Sequence, residues 1–181
     1  MSTYQLSMAL PVLGLLVWAA MQDLHSRRIY NWLTFTLILS GIVQSVAFSG
    51  ALCTPLGSVL GLGVGFALPF LLFALGALGG GDVKLLAGVG AWFGPVAAFQ
   101  VFMLAAIVGM VMVIAQALAQ RRGKVLLRNS AVLAVNLAHL NEVGLDHAKA
   151  TGQSCRSIDR PLPYAVPVLI AVLLLLAANW R

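Results

Sequence analysis

The sequence predicts an all-α, polytopic integral membrane protein with six transmembrane helical segments in a single domain, 1–181. Three observations carry that prediction. Hydrophobic residues make up 61% of the chain and charged residues only 9%, and the mean hydropathy is +0.97, a composition foreign to soluble domains. Apolar runs near the roughly 20 residues that a helix needs to cross a bilayer recur along the chain. The Lys and Arg residues gather in a few polar stretches, as short cytoplasmic loops do.

The first run, 5–21, has no basic region before it and no small-residue cleavage site after it, so it is expected to stay as a helix and not to be removed as a signal peptide. Runs 33–48 and 55–78 follow. The latter carries Gly57, Gly61 and Gly65 at four-residue spacing, which lets helix backbones approach closely in lipid. Segment 83–93, between Asp82 and Gly94-Pro95, is too short to span about 30 Å of hydrocarbon unaided and is expected to sink among other helices. Run 96–118 is the fifth segment. The loop 119–160 is cytoplasmic or interfacial and contains a semi-apolar stretch, 125–140, read as a helix lying in the interface. The last run, 163–180, opens on prolines suited to a first turn and on Tyr164 at headgroup level.

Six crossings with the N-terminus outside put Arg27, Arg28, Lys84, Arg121, Arg122, Lys124, Arg128, Lys149, Arg156 and Arg160 on the cytoplasmic side, leaving only Arg181 outside. The net charge of +6 is therefore a topology signal. No basic stripe with interleaved aromatics marks a nucleic-acid site, and the loop cations suit anionic membrane lipid. Cys53 and Cys155 fall on opposite sides and neither belongs to a CxxC; His25, His139 and His147 lack metal-ligand spacing. No metal or cofactor is expected.

Of the five acidic residues, Glu142, Asp146 and Asp159 sit in the polar loop, where solvation explains them. Asp23 and Asp82 do not. Each ends an apolar run, and the parity of crossings brings both to the cytoplasmic face. Two carboxylates within reach of one another cannot both ionise cheaply, so one holds a proton while the other serves as a base. Such a pair activates water for peptide hydrolysis without a covalent intermediate. Gly79, Gly80 and Gly81 beside Asp82 would admit an extended substrate backbone. Structural roles compete: Asp82 would cap a helix starting at Val83, and Asp23 would pair with Arg27 across one turn.

The run Gly79-Gly80-Gly81-Asp82-Val83-Lys84-Leu85 resembles the GxGD motif of the type IV prepilin peptidases, and Asp23 followed by Arg27-Arg28-Ile29-Tyr30-Asn31-Trp32-Leu33 resembles their first catalytic-Asp segment. Pro163-Tyr164-Ala165 is similar to the family's proline-tyrosine element. The resemblance implies the GxGD aspartic protease fold in the bacterial inner membrane, with its active site facing the cytoplasm. It also implies cleavage of basic leaders from prepilins and pilin-like proteins, with pilus-assembly machinery as a further partner. Asp23 and Asp82 would then be the catalytic pair, with Gly79, Gly80, Gly81 and Lys84 at the substrate; a positive-inside anchor is the competing role for Lys84. The chain lacks the CxxC pairs and extra cytoplasmic segment of the larger members, so it resembles the short peptidase-only Tad/Flp-type form, for which N-methylation is not expected. Two rivals from other classes are a small ion-coupled transporter, with Asp82 at a broken helix, and a non-enzymatic pilus-assembly protein.

Overall fold

The computed structural model describes residues 3–48, 52–75, 78–119 and 163–178. The stretch 125–140, Cys155 and nearly all of the loop 119–160 lie outside the described residues. Among those described, the fold is all helical: α1 (Thr3–Ser26), α2 (Asn31–Ala47), α3 (Pro55–Ala74), α4 (Gly80–Ala119) and α5 (Ala165–Ala178).

Helix boundaries follow hydrogen-bonding chemistry where hydropathy does not mark them. α1 continues past its apolar run to Ser26, so Asp23 is inside the helix's last turn and not beyond its end. The chain then leaves through Arg27, whose φ of 51° is left-handed and whose N–H bonds the Asp23 carbonyl at 2.9 Å. α3 opens with Thr54 as N-cap, its Oγ1 accepting from Gly57 N–H at 3.1 Å, and with Pro55 at the first helical position.

α3 lies along α4, and the stripe that faces it is Ser58, Gly61, Gly65 and Pro69, all buried. A Cβ on Gly61 would collide with the Gly90 carbonyl, and one on Gly65 with the Leu86 carbonyl. Helix backbones thus touch directly here, the packing that small residues permit in lipid. Gly57 differs, since a Cβ there would meet Cys53 and Thr54 of its own N-terminal turn.

α4 is broken at Gly94, whose φ of 86° and ψ of 177° are non-helical and suit a residue without Cβ. Pro95 follows, and its missing N–H leaves the Ala91 carbonyl, four residues back, without a ladder donor. Ser58 Oγ of α3 supplies it at 2.6 Å. Trp92, on the same turn, donates Nε1–H to the Leu37 carbonyl of α2 at 2.9 Å. The break is therefore held from both sides by bonds between helices, as a non-aqueous surrounding requires. The first arm of α4 is about 20 Å long and falls short of a bilayer; the second is long enough.

The core is apolar and central. Val12, Leu16, Leu37, Leu86, Val89, Val101 and Val172 are fully or almost fully buried, from α1, α2, both arms of α4 and α5. Outside it, large apolar side chains face outwards, among them Leu56 and Val96, each 70% exposed. Pro55–Ala74 and the Gly80–Gln116 part of α4 are long and apolar enough to cross a membrane. Outward apolar faces of this extent belong against hydrocarbon.

Candidate active site

One end of the bundle gathers the end of α1 and the starts of α2, α4 and α5. Lys84 of α4 donates from Nζ to Asn31 Oδ1 of α2 at 2.8 Å. Ala165, the first residue of α5, donates its backbone N–H to Asp23 Oδ2 at 3.0 Å. Asp82, in the first turn of α4, is within electrostatic range of both Asp23 and Tyr164. The two carboxylates that parity assigns to one face thus lie close enough to feel one another's charge.

Asp23 is 6% exposed. It sits two residues beyond the apolar run that ends at Met21. Burial raises its carboxyl above the ordinary carboxylate range, and the Ala165 N–H and then the Arg27 charge act in the opposite direction. The donor is one of the first N–H groups of a helix, which have no partner in their own ladder and lie at the positive end of the dipole. Sequence reasoning missed this residue because a backbone donor leaves no side-chain signal; only the proline-tyrosine resemblance pointed to its neighbourhood.

The glycine run is more structured than an open loop. α4 begins at Gly80, not at Val83, so Gly80, Gly81 and Asp82 already form its first turn. The Gly79 carbonyl accepts from the N–H groups of Asp82 and Val83, at 3.2 and 3.4 Å. In return Gly79 N–H donates to Asp82 Oδ2 at 3.2 Å, the half of a capping box that the third helical side chain supplies. Glycine at 79 keeps this bond accessible, since a Cβ there would lie 2.9 Å from the carboxylate oxygen. Gly79 is exposed, Gly80 and Gly81 are half-buried, and a Cβ on Gly81 would come within 3.2 Å of Ile29 in the α1–α2 link. Ile29 belongs to the run that resembles the first catalytic-Asp segment, but nothing local in the sequence relates it to the glycines.

Both carboxylates therefore have one oxygen fixed by a backbone donor. Among the described residues, Oδ1 of each receives no hydrogen bond. The pair has the elements of a general acid–base couple: proximity, burial of one member and preset orientation of both. Lys84, two residues after Asp82, bonds α2 and neither carboxylate. It is exposed, and its partner is the neutral Asn31 side chain. Among the described residues, no three His, Cys, Asp or Glu side chains converge as a metal site.

A family model for the type IV leader peptidase family matches residues 10–114, which include both aspartates and the glycine run. No curated protein and no solved structure matches the chain.

Proposed function

The chain belongs to the type IV leader peptidase family, and from that premise we propose that it is an aspartic endopeptidase whose catalytic residues are Asp23 and Asp82. The observation that carries this reading is the convergence of the two carboxylates, each held by one backbone N–H, at one end of an otherwise apolar bundle. In the reaction, the ionised member removes a proton from water as the oxygen attacks the scissile carbonyl carbon. The protonated member donates to the carbonyl oxygen, giving a gem-diol; the proton taken from water then passes to the departing amine as the C–N bond breaks, and a gem-diol hydroxyl returns its proton to the other carboxylate as the carbonyl re-forms. Protons are exchanged within the dyad, so its titration belongs to the pair.

The substrates are prepilins and pilin-like proteins of the Tad/Flp type, cleaved at the cytoplasmic face of a bacterial inner membrane by a six-span enzyme without methyltransferase activity. The substrate's apolar segment enters from the bilayer while its basic leader remains in the cytoplasm. Unwinding at the junction presents the peptide bond beside Gly79, Gly80 and Gly81, whose small surface leaves room next to Asp82. The test is incubation of the purified protein with a Flp-type prepilin in detergent, followed by intact-mass measurement. A leader-length mass loss is expected, with no accompanying methyl increment on adding S-adenosylmethionine. An unchanged prepilin mass under conditions where the protein stays folded would contradict the peptidase reading.

A further inference from the structure

A second feature lies apart from the carboxylates. α2, α3 and the first turns of α4 enclose an open groove of about 510 Å³, within the roughly 300–1,000 Å³ of ligand sites. Neither Asp23 nor Asp82 lines it. Its wall is apolar, from Phe35, Ile38, Leu62 and Phe66. Asn31, Trp32 and Lys84 form its mouth, and from Asn31 to Ile38 it runs about 10 Å along α2.

The mouth is positive and uncompensated. Lys84 Nζ is steadied by Asn31 Oδ1 at 2.8 Å and, among the described residues, has no carboxylate partner. α2 begins beside it with no side-chain cap and no acidic residue in its first turn, so the positive end of its dipole adds to the ammonium. Phe35 is 66% exposed and Trp32 53% exposed, so the groove opens onto the hydrocarbon-facing surface with an indole at its polar end. An occupant that satisfies both ends is anionic at its head and apolar along about 10 Å of its length.

We propose that this groove binds an anionic membrane phospholipid, its phosphate at Lys84 and the α2 N-terminus and an acyl chain along Phe35, Leu62 and Phe66. Basic pockets between helices at a cytoplasmic boundary recognise such headgroups, each cation contributing through a short-range, salt-sensitive attraction. The site gives Lys84 a ligand of its own, and it stands or falls independently of the peptidase reading.

The test is native mass spectrometry of the full-length protein from mixed micelles containing equal phosphatidylglycerol and phosphatidylcholine. Selective retention of phosphatidylglycerol is expected, decreasing as salt is raised. Lys84→Gln should lower that retention about fivefold, the effect of one interfacial cation, and Lys84→Arg should restore it. Leu62→Trp, which fills the groove without altering charge, should displace the lipid. Equal retention of the two phospholipids by the unmodified protein would overturn the proposal, and that comparison requires no variant to fold. So would an unchanged preference in folded Lys84→Gln, or capture of prepilin in place of lipid by a photo-crosslinker at Leu62.

Discussion

Replacing Ala165 with proline tests whether the start of α5 holds Asp23 in working position. Ala165 is the first residue of α5, where proline is tolerated, and the helix's own ladder does not use its N–H. The substitution therefore deletes one bond, the 3.0 Å donation to Asp23 Oδ2, while keeping the helix. Hydrogen bonds to charged groups contribute about 1.5–3 kcal/mol. At about 1.36 kcal/mol per tenfold in rate, kcat/KM for prepilin cleavage should fall about 10- to 150-fold. The pH profile has a direction as well. Burial already raises the Asp23 carboxyl and the Ala165 N–H opposes that rise, so deleting the donor raises it further. A larger fraction is then protonated at a given pH, and the acid limb of the dyad's profile moves to higher pH. Ala165→Gly retains the N–H and should leave the limb in place. The assay is steady-state cleavage of a fluorogenic prepilin peptide across pH, with melting temperature as a control for folding. A folded Ala165→Pro variant with unchanged kcat/KM and an unshifted acid limb would refute the positioning role.

Three further outcomes concern the scaffold and the glycine run. Ser58→Ala removes the only described donor to the Ala91 carbonyl opposite Pro95 and should cost about 1–3 kcal/mol, read as a lower melting temperature in detergent. Gly65→Leu forces a side chain against the Leu86 carbonyl and should destabilise the α3–α4 contact by about 1–3 kcal/mol or more; an unchanged melting temperature would refute the direct backbone packing. Gly81→Leu should reduce prepilin cleavage while Asp82 stays in place, and its larger side chain also presses on Ile29, so a displaced α1–α2 link should appear as altered proteolysis near residues 27–30. Normal cleavage by that variant would argue against close substrate approach at the glycines.

What the sequence discloses is tied to scarcity and to covalent geometry. Asp23 and Asp82 stand out because carboxylates bordering apolar runs are costly, and counting crossings leads to the expectation that both emerge on one face. Gly94-Pro95 marks the break in α4 because proline cannot continue the ladder, and Ser58 is the kind of hydroxyl that the orphaned Ala91 carbonyl calls for. Hydropathy, by contrast, marks where lipid begins and not where the helix ladder stops. That is why α1 runs on through Asp23 to Ser26, and why the glycine run, legible as an open stretch, proves to be the first turn of α4. The Ala165 N–H and the Lys84–Asn31 bond depend on tertiary approach across 142 and 53 residues, respectively, and leave no local trace.

The carboxylate pair is tested most directly by Asp23→Asn and Asp82→Asn, each nearly isosteric and each unable to serve as a base or to carry the shared proton. The measurement is leader removal from a Flp-type prepilin by each purified variant, followed by intact mass against time. Each should lose at least about 100-fold in rate, the low end of what positioned acid–base groups contribute, while keeping its melting temperature. Cleavage at the unmodified rate by either folded variant would contradict the aspartyl dyad.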